Sequence, residues 1–402
     1  MFRAAPNVLA LGMTSLLTDV SSEMVTSILP MYLMLHLQLS PLGFGAIDGM
    51  QQAGASLLRL GSGVLADRSR RYRAIAATGY GVSALCKLGL LLAGTTAFGV
   101  AALTFLDRLG KGLRSSPRDA LISLSVPPAE LGRAFGLHRT FDTAGALLGP
   151  LVAFGALSLA PGAYDAVFAV SFAIALIGVG VIVCFVSDPA PEVTGAARAP
   201  AEPGLRSSIR QLLGRHGLRV TAAGAGAIGL ITVSDSFIYL LLQQRLQFDS
   251  SYLPLLYVAT PLVYMLLALP LGWLSDRVGR VRVFLLGHGA LLACYVLLLL
   301  PVSVALTLPF VVLLLGGYYA ATDGVLMALS SALLPSALRG SGIALVSTVN
   351  LLGRLLASVC FGFVWSRFDI RAALVGFFVA GLLVLVWLGV AFRPATERAR
   401  RD

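Results

Sequence analysis

Long apolar stretches separated by short polar turns set the pattern of this chain. A helix that crosses a bilayer needs about 20 mostly apolar residues. Windows of that length predict twelve spanning helices, at 8–36, 42–66, 74–94, 97–117, 134–158, 164–186, 219–243, 253–274, 282–301, 305–330, 342–365 and 371–392. The first and tenth are long enough to tilt or protrude. Pro and Gly mark the turns, as in Ser40-Pro41-Leu42-Gly43 and Ala160-Pro161-Gly162. One extended polar stretch, 187–219, stands apart, with Pro189, Pro191, Pro200 and Pro203 among several arginines. Its early part reads as a flexible linker, and 205–218 as a basic amphipathic helix lying on the membrane. The chain therefore divides into an N-terminal six-helix bundle over 1–187, a cytoplasmic linker over 188–218 and a C-terminal six-helix bundle over 219–402.

Composition says which solvent this pattern meets. The chain has 402 residues, 57% hydrophobic and only 12% charged, where a soluble chain has about 25% charged. Its surface must face lipid. The net charge of +11 would suit nucleic acid, but the arginines cluster in alternate loops, which is the positive-inside pattern. No nucleic-acid partner is expected. Loops after the second, fourth, sixth, eighth and tenth helices hold most of the arginines, and only Arg245, Arg367 and Arg371 lie on the opposite side. Both termini are therefore expected on the cytoplasmic side of a bacterial inner membrane. The apolar stretch after Pro6 is too long for a signal core, so the first helix should stay in the mature protein. Cys86, Cys184, Cys294 and Cys360 each lie alone in an apolar segment and are expected to be small core residues rather than zinc or disulfide partners.

A charged turn is written twice. G-V-L-A-D-R-S-R-R-Y-R over 63–73 returns as G-W-L-S-D-R-V-G-R-V-R over 272–282. A repeat at half-chain distance points to two related halves in one membrane, the plan of a transporter. Within the apolar windows lie charges that cost at least about 2.5–3.5 kcal/mol each near the bilayer centre. Asp19 and Glu23 share one face of the first helix, four residues apart. Asp48, Arg59, Lys87, Asp107, Arg108, Lys111, Arg114, His138, Arg139 and Asp142 follow, while the second half, poorer in such charges, has Asp235, Asp323 and Arg354. Mutual pairing that fixes helix packing accounts for any one of these. It suits Asp19 and Glu23 less, because two carboxylates on one face repel when both are ionised. A shared proton or a bound cation relieves that, as a proton-coupling site requires. Arg108 and Lys111 are the expected counter-charges if the fourth helix faces the first. His138, four residues before Asp142, fits a proton relay or a structural bond equally.

The repeated turn resembles motif A of the major facilitator superfamily. The second copy supplies Gly272, Asp276, Arg277, Gly279 and Arg280. The first supplies Gly63, Asp67, Arg68 and Arg71, with Arg70 where a glycine is usual. Arg108, Lys111 and Gly112 resemble motif B, with Lys in place of the usual Gln. Gly136, Gly145, Gly149 and Pro150 are similar to motif C, whose closing Gly-Gly is here Ala153-Phe154. Small residues let helix backbones approach, and Pro150 removes a backbone bond. The resemblance covers nearly the whole chain. It implies an all-α membrane protein of twelve transmembrane helices in two pseudo-symmetric six-helix bundles, alternating access around a midplane site. It further implies that motif A gates the cytoplasmic side, that Arg108 serves proton coupling, and that motif C marks antiporters that export.

These readings predict a proton-coupled secondary active transporter that exports a small molecule, a drug-like compound or a metabolite. Asp19, Glu23, Arg108 and Lys111 are the expected coupling residues. Substrate is expected between the bundles near Asp48, Gln51, Gln52, Asp142, Asp235, Tyr239, Tyr318, Tyr319, Asp323 and Arg354. Acidic members suit cations; Arg108, Lys111 and Arg354 suit anions. The alternatives are a proton symporter importing a nutrient or siderophore-like compound, and a divalent-metal exporter with acidic ligands. The chain lacks the His-rich or Met-rich tracts that would favour the latter. An enzyme is not expected, because H-E-x-x-H and G-x-S-x-G are absent. Expected partners are substrate, protons and lipid, for a monomer with no cofactor and no resident metal.

Overall fold

The computed structural model describes residues 6–93, 96–188, 216–301, 303–332 and 339–391. Among them every regular element is helical. The first six long helices are α1 (Pro6–Met31), α2 (Pro41–Ser69), α3 (Tyr72–Ala93), α4 (Ala97–Leu124), α5 (Leu131–Leu159) and α6 (Tyr164–Phe185). The others are α7 (His216–Ile231), α8 (Asp235–Leu246), α9 (Leu253–Val278), α10 (Arg280–Leu299), α11 (Val304–Ala332), α12 (Arg339–Arg367) and α13 (Ile370–Ala391). The linker expected over 188–218 lies outside the described residues from 189 to 215, as do both chain ends. Residues 216–218 open α7.

Among the described residues, ten helical stretches are long and apolar enough to cross a membrane. The remaining two long helices, α2 and α4, are diluted by polar residues. At 28 residues α4 is about 42 Å long, more than the roughly 30 Å of hydrocarbon. Leu92, Phe98, Leu159, Leu266 and Leu269 are each at least 75% exposed. Lipid is the partner their burial lacks. Two of the cysteines share that face: Cys86 and Cys294 are buried, but Cys184 and Cys360 are exposed, against the expectation that all four are core residues.

The chain forms two compact units. Unit 1 comprises 1–39, 50–198 and 249–258, and unit 2 comprises 40–49, 199–248 and 259–402. In unit 1, α1 packs on α5 and α6, while α3 packs on α4 and α6. In unit 2, α7 packs on α12 and α13, while α10 packs on α11 and α13. With α7 and α8 taken as one span, each unit therefore uses the same pairing scheme: first with fifth and sixth, third with fourth and sixth.

The pattern predicts one unbroken helix over 219–243, and the structure divides it. Residues 232–234 leave the helix, and Ser234 caps α8 in an extended conformation. Ser and Asp compete for backbone bonds and favour caps over helix interiors. The freed backbone groups are met by one side chain. Val233 N–H donates to Tyr295 Oη at 2.9 Å, and that hydroxyl donates to Ile231 O at 3.0 Å. Likewise the window 8–36 is α1 followed by a wider turn, Tyr32–His36, in which Leu37 N–H returns to Tyr32 O at 2.9 Å. Pro30, just before it, lacks the N–H that would continue the regular ladder.

The two copies of the repeated turn share a positive φ and a backbone bond. Gly279 follows α9 with φ +107°, and Arg70 follows α2 with φ +53°. Their N–H groups reach back four residues in the same way, Gly279 to Ser275 O at 3.1 Å and Arg70 to Ala66 O at 2.8 Å. The residue that departs from the motif thus adopts the left-handed turn that glycine ordinarily supplies.

Tyr295→Phe should cost about 1–3 kcal/mol, because it strands a buried backbone N–H at the break in the seventh span. Thermal unfolding of the purified protein measures this, and a melt equal to the parent's would refute it.

Candidate functional site

α1 presents Asp19 and Glu23 one turn apart, and helices on two sides fix that turn. α5 approaches closely because it carries glycines there. A Cβ on Gly145 would lie 2.7 Å from Leu16 O and 3.0 Å from Asp19 Cβ. One on Gly149 would lie 2.6 Å from Val20 O and 2.9 Å from Glu23 Cβ. Gly178 of α6 meets Thr18 Oγ1 in the same sense, at 3.1 Å. Pro150 is buried beside Gly149, whereas Gly136 faces open space. Two of the motif C glycines therefore seat the carboxylate turn itself.

On its other side α1 meets α4 through an antiparallel polar ladder. Arg118 Nη1 donates to Ser15 Oγ at 3.0 Å. Arg114 Nη2 lies 3.5 Å from Asp19 Oδ1. Lys111 Nζ lies 3.7 Å from Asp19 Oδ1 and 4.0 Å from Glu23 Oε1. Arg108 Nη2 donates to Thr26 Oγ1 at 2.9 Å. Asp19 thus faces two cations, and Glu23 faces one at the longer distance. Arg108 lies further along the ladder, and Arg114 occupies the place expected for it. Arg114 is almost wholly buried, donates to Ser83 Oγ at 2.8 Å and stacks over Tyr80 at 4.7 Å.

Other charges of unit 1 pair among themselves. Lys87 Nζ, buried, lies 2.5 Å from Asp107 Oδ1 and 3.2 Å from Ser22 Oγ. Asp142, expected to meet substrate, lies 3.5 Å from His138 Nε2 and 3.9 Å from Arg118 Nη1. Arg118 also holds Asp119 at 2.9 Å, and exposed Arg59 lies 3.7 Å from the same carboxylate. Gln51 and Gln52 are half-buried on α2.

Unit 2 gathers part of the expected substrate set. Asp235 opens α8 and accepts from Tyr319 Oη at 2.9 Å. The Tyr319 ring adjoins Tyr318 at 4.9 Å, and Arg354 Nη2 donates to Tyr318 Oη at 2.9 Å. Asp323 follows Tyr319 by one turn of α11 and is exposed. Tyr239 is engaged elsewhere, donating to Thr260 Oγ1 at 2.7 Å, and Asp48 accepts from Ser358 Oγ at 2.7 Å.

At the repeated turn, Arg280 Nη2 lies 3.6 Å from Asp276 Oδ1 and the Arg277 guanidinium covers Trp273 at 3.5 Å. Gly272 is exposed with open space at its Cβ position, whereas Gly63 faces Ser116 Cβ of α4 at 3.2 Å. Arg68 and Arg71 are exposed; the Asp67 side chain lies outside the described residues.

Sequence reasoning missed three features: Arg114 beside Asp19, the Lys87–Asp107 pair, and His288, buried against Tyr318. For Arg114 a signal existed. Lys111, Arg114 and Arg118 recur at steps of three and four, one helix face. For Lys87 and Asp107, on different helices, no local spacing could reveal the contact.

Comparison with known proteins fits this geometry. A sequence profile described as Major Facilitator Superfamily matches residues 11–260 and again 231–402. An uncharacterized MFS-type transporter of Methanocaldococcus jannaschii is 28% identical over 390 residues, spanning 94% of each chain. An uncharacterized protein of Mycobacterium bovis is 37% identical over 153 residues, 38% of this chain and 37% of its own. Among solved structures, the nucleoside transporter NupG superposes with a TM-score of 0.80 at 15% identity, over 96% of this chain and 99% of its own. The peptide transporter POT, in complex with sulfate, gives 0.78 at 16% identity, over 99% and 96%. At these identities the likeness is one of fold.

Asp107→Asn alone should cost about 3–5 kcal/mol by leaving Lys87 buried and unpaired, and Lys87→Met with Asp107→Leu should recover most of it. Melting of the two variants decides; a single variant as stable as the parent would contradict the pairing's role.

Proposed function

This chain belongs to the Major Facilitator Superfamily and is a multi-pass secondary transporter rather than an enzyme; from that premise we propose that it is a proton-coupled exporter of a small drug-like compound or metabolite. Its setting in this proposal is a bacterial cytoplasmic membrane, with both termini and the 188–218 linker inside. The supporting observation is that Asp19 and Glu23, one turn apart on α1, share the single ammonium of Lys111 at 3.7 and 4.0 Å.

Asp19 keeps a second cation in Arg114, so Glu23 is the carboxylate whose partner is easiest to lose. Protonating Glu23 leaves Lys111 bound to Asp19 alone; deprotonating it restores the shared contact. Two unit charges 4 Å apart at an effective dielectric constant near 20 interact by about 4 kcal/mol. That approaches the roughly 5.5 kcal/mol that swings a two-state equilibrium from 1:99 to 99:1. A proton at this position is thus sufficient in magnitude to bias alternating access. The driving force is about 2.3 kcal/mol per charge per 100 mV and about 1.4 kcal/mol per pH unit.

Export is supported by the motif C glycines, which seat the carboxylate turn against α5. The nucleoside and peptide transporters of like fold support a polar metabolite at least as well as a drug.

Glu23→Gln is expected to abolish pH-driven transport and Asp19→Asn to impair it, both with the fold kept. A toxic-compound panel on cells with and without the gene first supplies a substrate. Intact proton coupling in both variants and in the double variant would sink the assignment. Everted vesicles energised by respiration should accumulate that substrate; release instead would assign import by symport.

A further inference from the structure

Three buried side-chain atoms of unit 2, in Ser234, His288 and Arg354, lack a hydrogen-bond partner among the described residues, and the side chains of the last two touch one tyrosine. Arg354 Nε is buried without an acceptor, while Nη2 of the same guanidinium donates to Tyr318 Oη at 2.9 Å. Among the described residues no carboxylate oxygen lies within 4.0 Å of it. His288 is 1% exposed, its ring meets Tyr318 edge-on at 5.2 Å, and its Nε2 is buried without a partner. Its own helix sets the tautomer. Nδ1 lies 2.9 Å from Phe284 O, and a carbonyl only accepts, so Nδ1 carries the hydrogen. Nε2 of the neutral ring is then a lone-pair acceptor.

Neither group has a packing reason to be polar. A buried polar atom left unbonded destabilises the fold. Asp235 and Asp323 act on Arg354 through space without touching it, and Asp235 is engaged by Tyr319 at 2.9 Å. What the cluster lacks is an acceptor at Arg354 Nε and a donor for His288 Nε2. A planar guanidinium whose buried Nε lacks an acceptor matches the two oxygens of a carboxylate, and the Tyr318 and Tyr319 rings adjoin it.

The geometry points to a ligand subsite in unit 2 where Arg354 takes the carboxylate of the transported compound and His288 Nε2 accepts from a hydroxyl or ammonium on the same molecule. This rests on the chain being a small-molecule transporter and narrows its cargo to small hydroxy or amino acids.

The test is melting of the full-length protein in detergent, at one pH, with mandelate, phenylacetate or mandelamide. It needs no proton gradient, so its outcome is independent of Glu23. Mandelate should raise Tm by about 3 °C or more at saturation, phenylacetate by less, and mandelamide not at all. Arg354→Gln should abolish the response to both acids, and Arg354→Lys should keep part of it. His288→Phe should bring mandelate down to the level of phenylacetate. Unliganded Arg354→Gln should melt at or above the parent. No shift with mandelate, an equal shift in Arg354→Gln, or an unliganded Arg354→Gln that melts well below the parent would each overturn the subsite. A protein that loses coupling in Glu23→Gln yet shows none of these shifts would keep its proposed function and lose only this inference.

Discussion

A charge in hydrocarbon must be given a partner, because the lipid offers none. Much of the detail in unit 1 answers that requirement. Lys87 meets Asp107 and Ser22; Arg118 meets Ser15, Asp119 and Asp142; Arg114 meets Asp19, Ser83 and the Tyr80 ring. These contacts tie α4 to its neighbours more tightly than apolar packing would, since lipid competes for apolar surface but not for ions. The glycines of α5 serve the same end from the other side. By letting α5 onto the backbone of α1, they set the position of Asp19 and Glu23 against the α4 ladder. Backbone contact therefore sets where the two carboxylates lie.

The two units repeat a pairing scheme but fill it differently. Unit 1 pairs Lys87, Lys111, Arg114 and Arg118 with carboxylates at contact distance. Unit 2 holds few charges and leaves Arg354 without a carboxylate at contact distance. The same scaffold thus carries one half rich in contacting ion pairs and one in which the arginine meets its acids only through space.

Hydropathy made the spans legible because lipid imposes one length and one polarity on every helix. The charged repeat made the division into halves legible because it is local. What stayed hidden is of two kinds. Breaks such as 232–234 do not disturb an apolar run, since Thr232 and Val233 look like any membrane residues; only the Ser234-Asp235 pair, a capping signature, hints at them. Contacts between distant helices are not written in spacing, so Lys87 and Asp107 read as separate anomalies. Arg108 was favoured over Arg114 because the motif pointed there, although the face shared by Lys111 and Arg114 was readable from the helical period.

Arg70 and Gly279 carry this difference between residue and shape into descent. Both follow a helix, bond back four residues and turn left-handed, yet one is the most permissive residue and the other a bulky cation. If the halves arose by duplication, the sign of φ at this turn has been inherited more faithfully than its letter. Arg70 then records a substitution that kept the positive φ and the backbone bond. A search for lost copies of such repeats would do better to follow the sign of φ than the glycine.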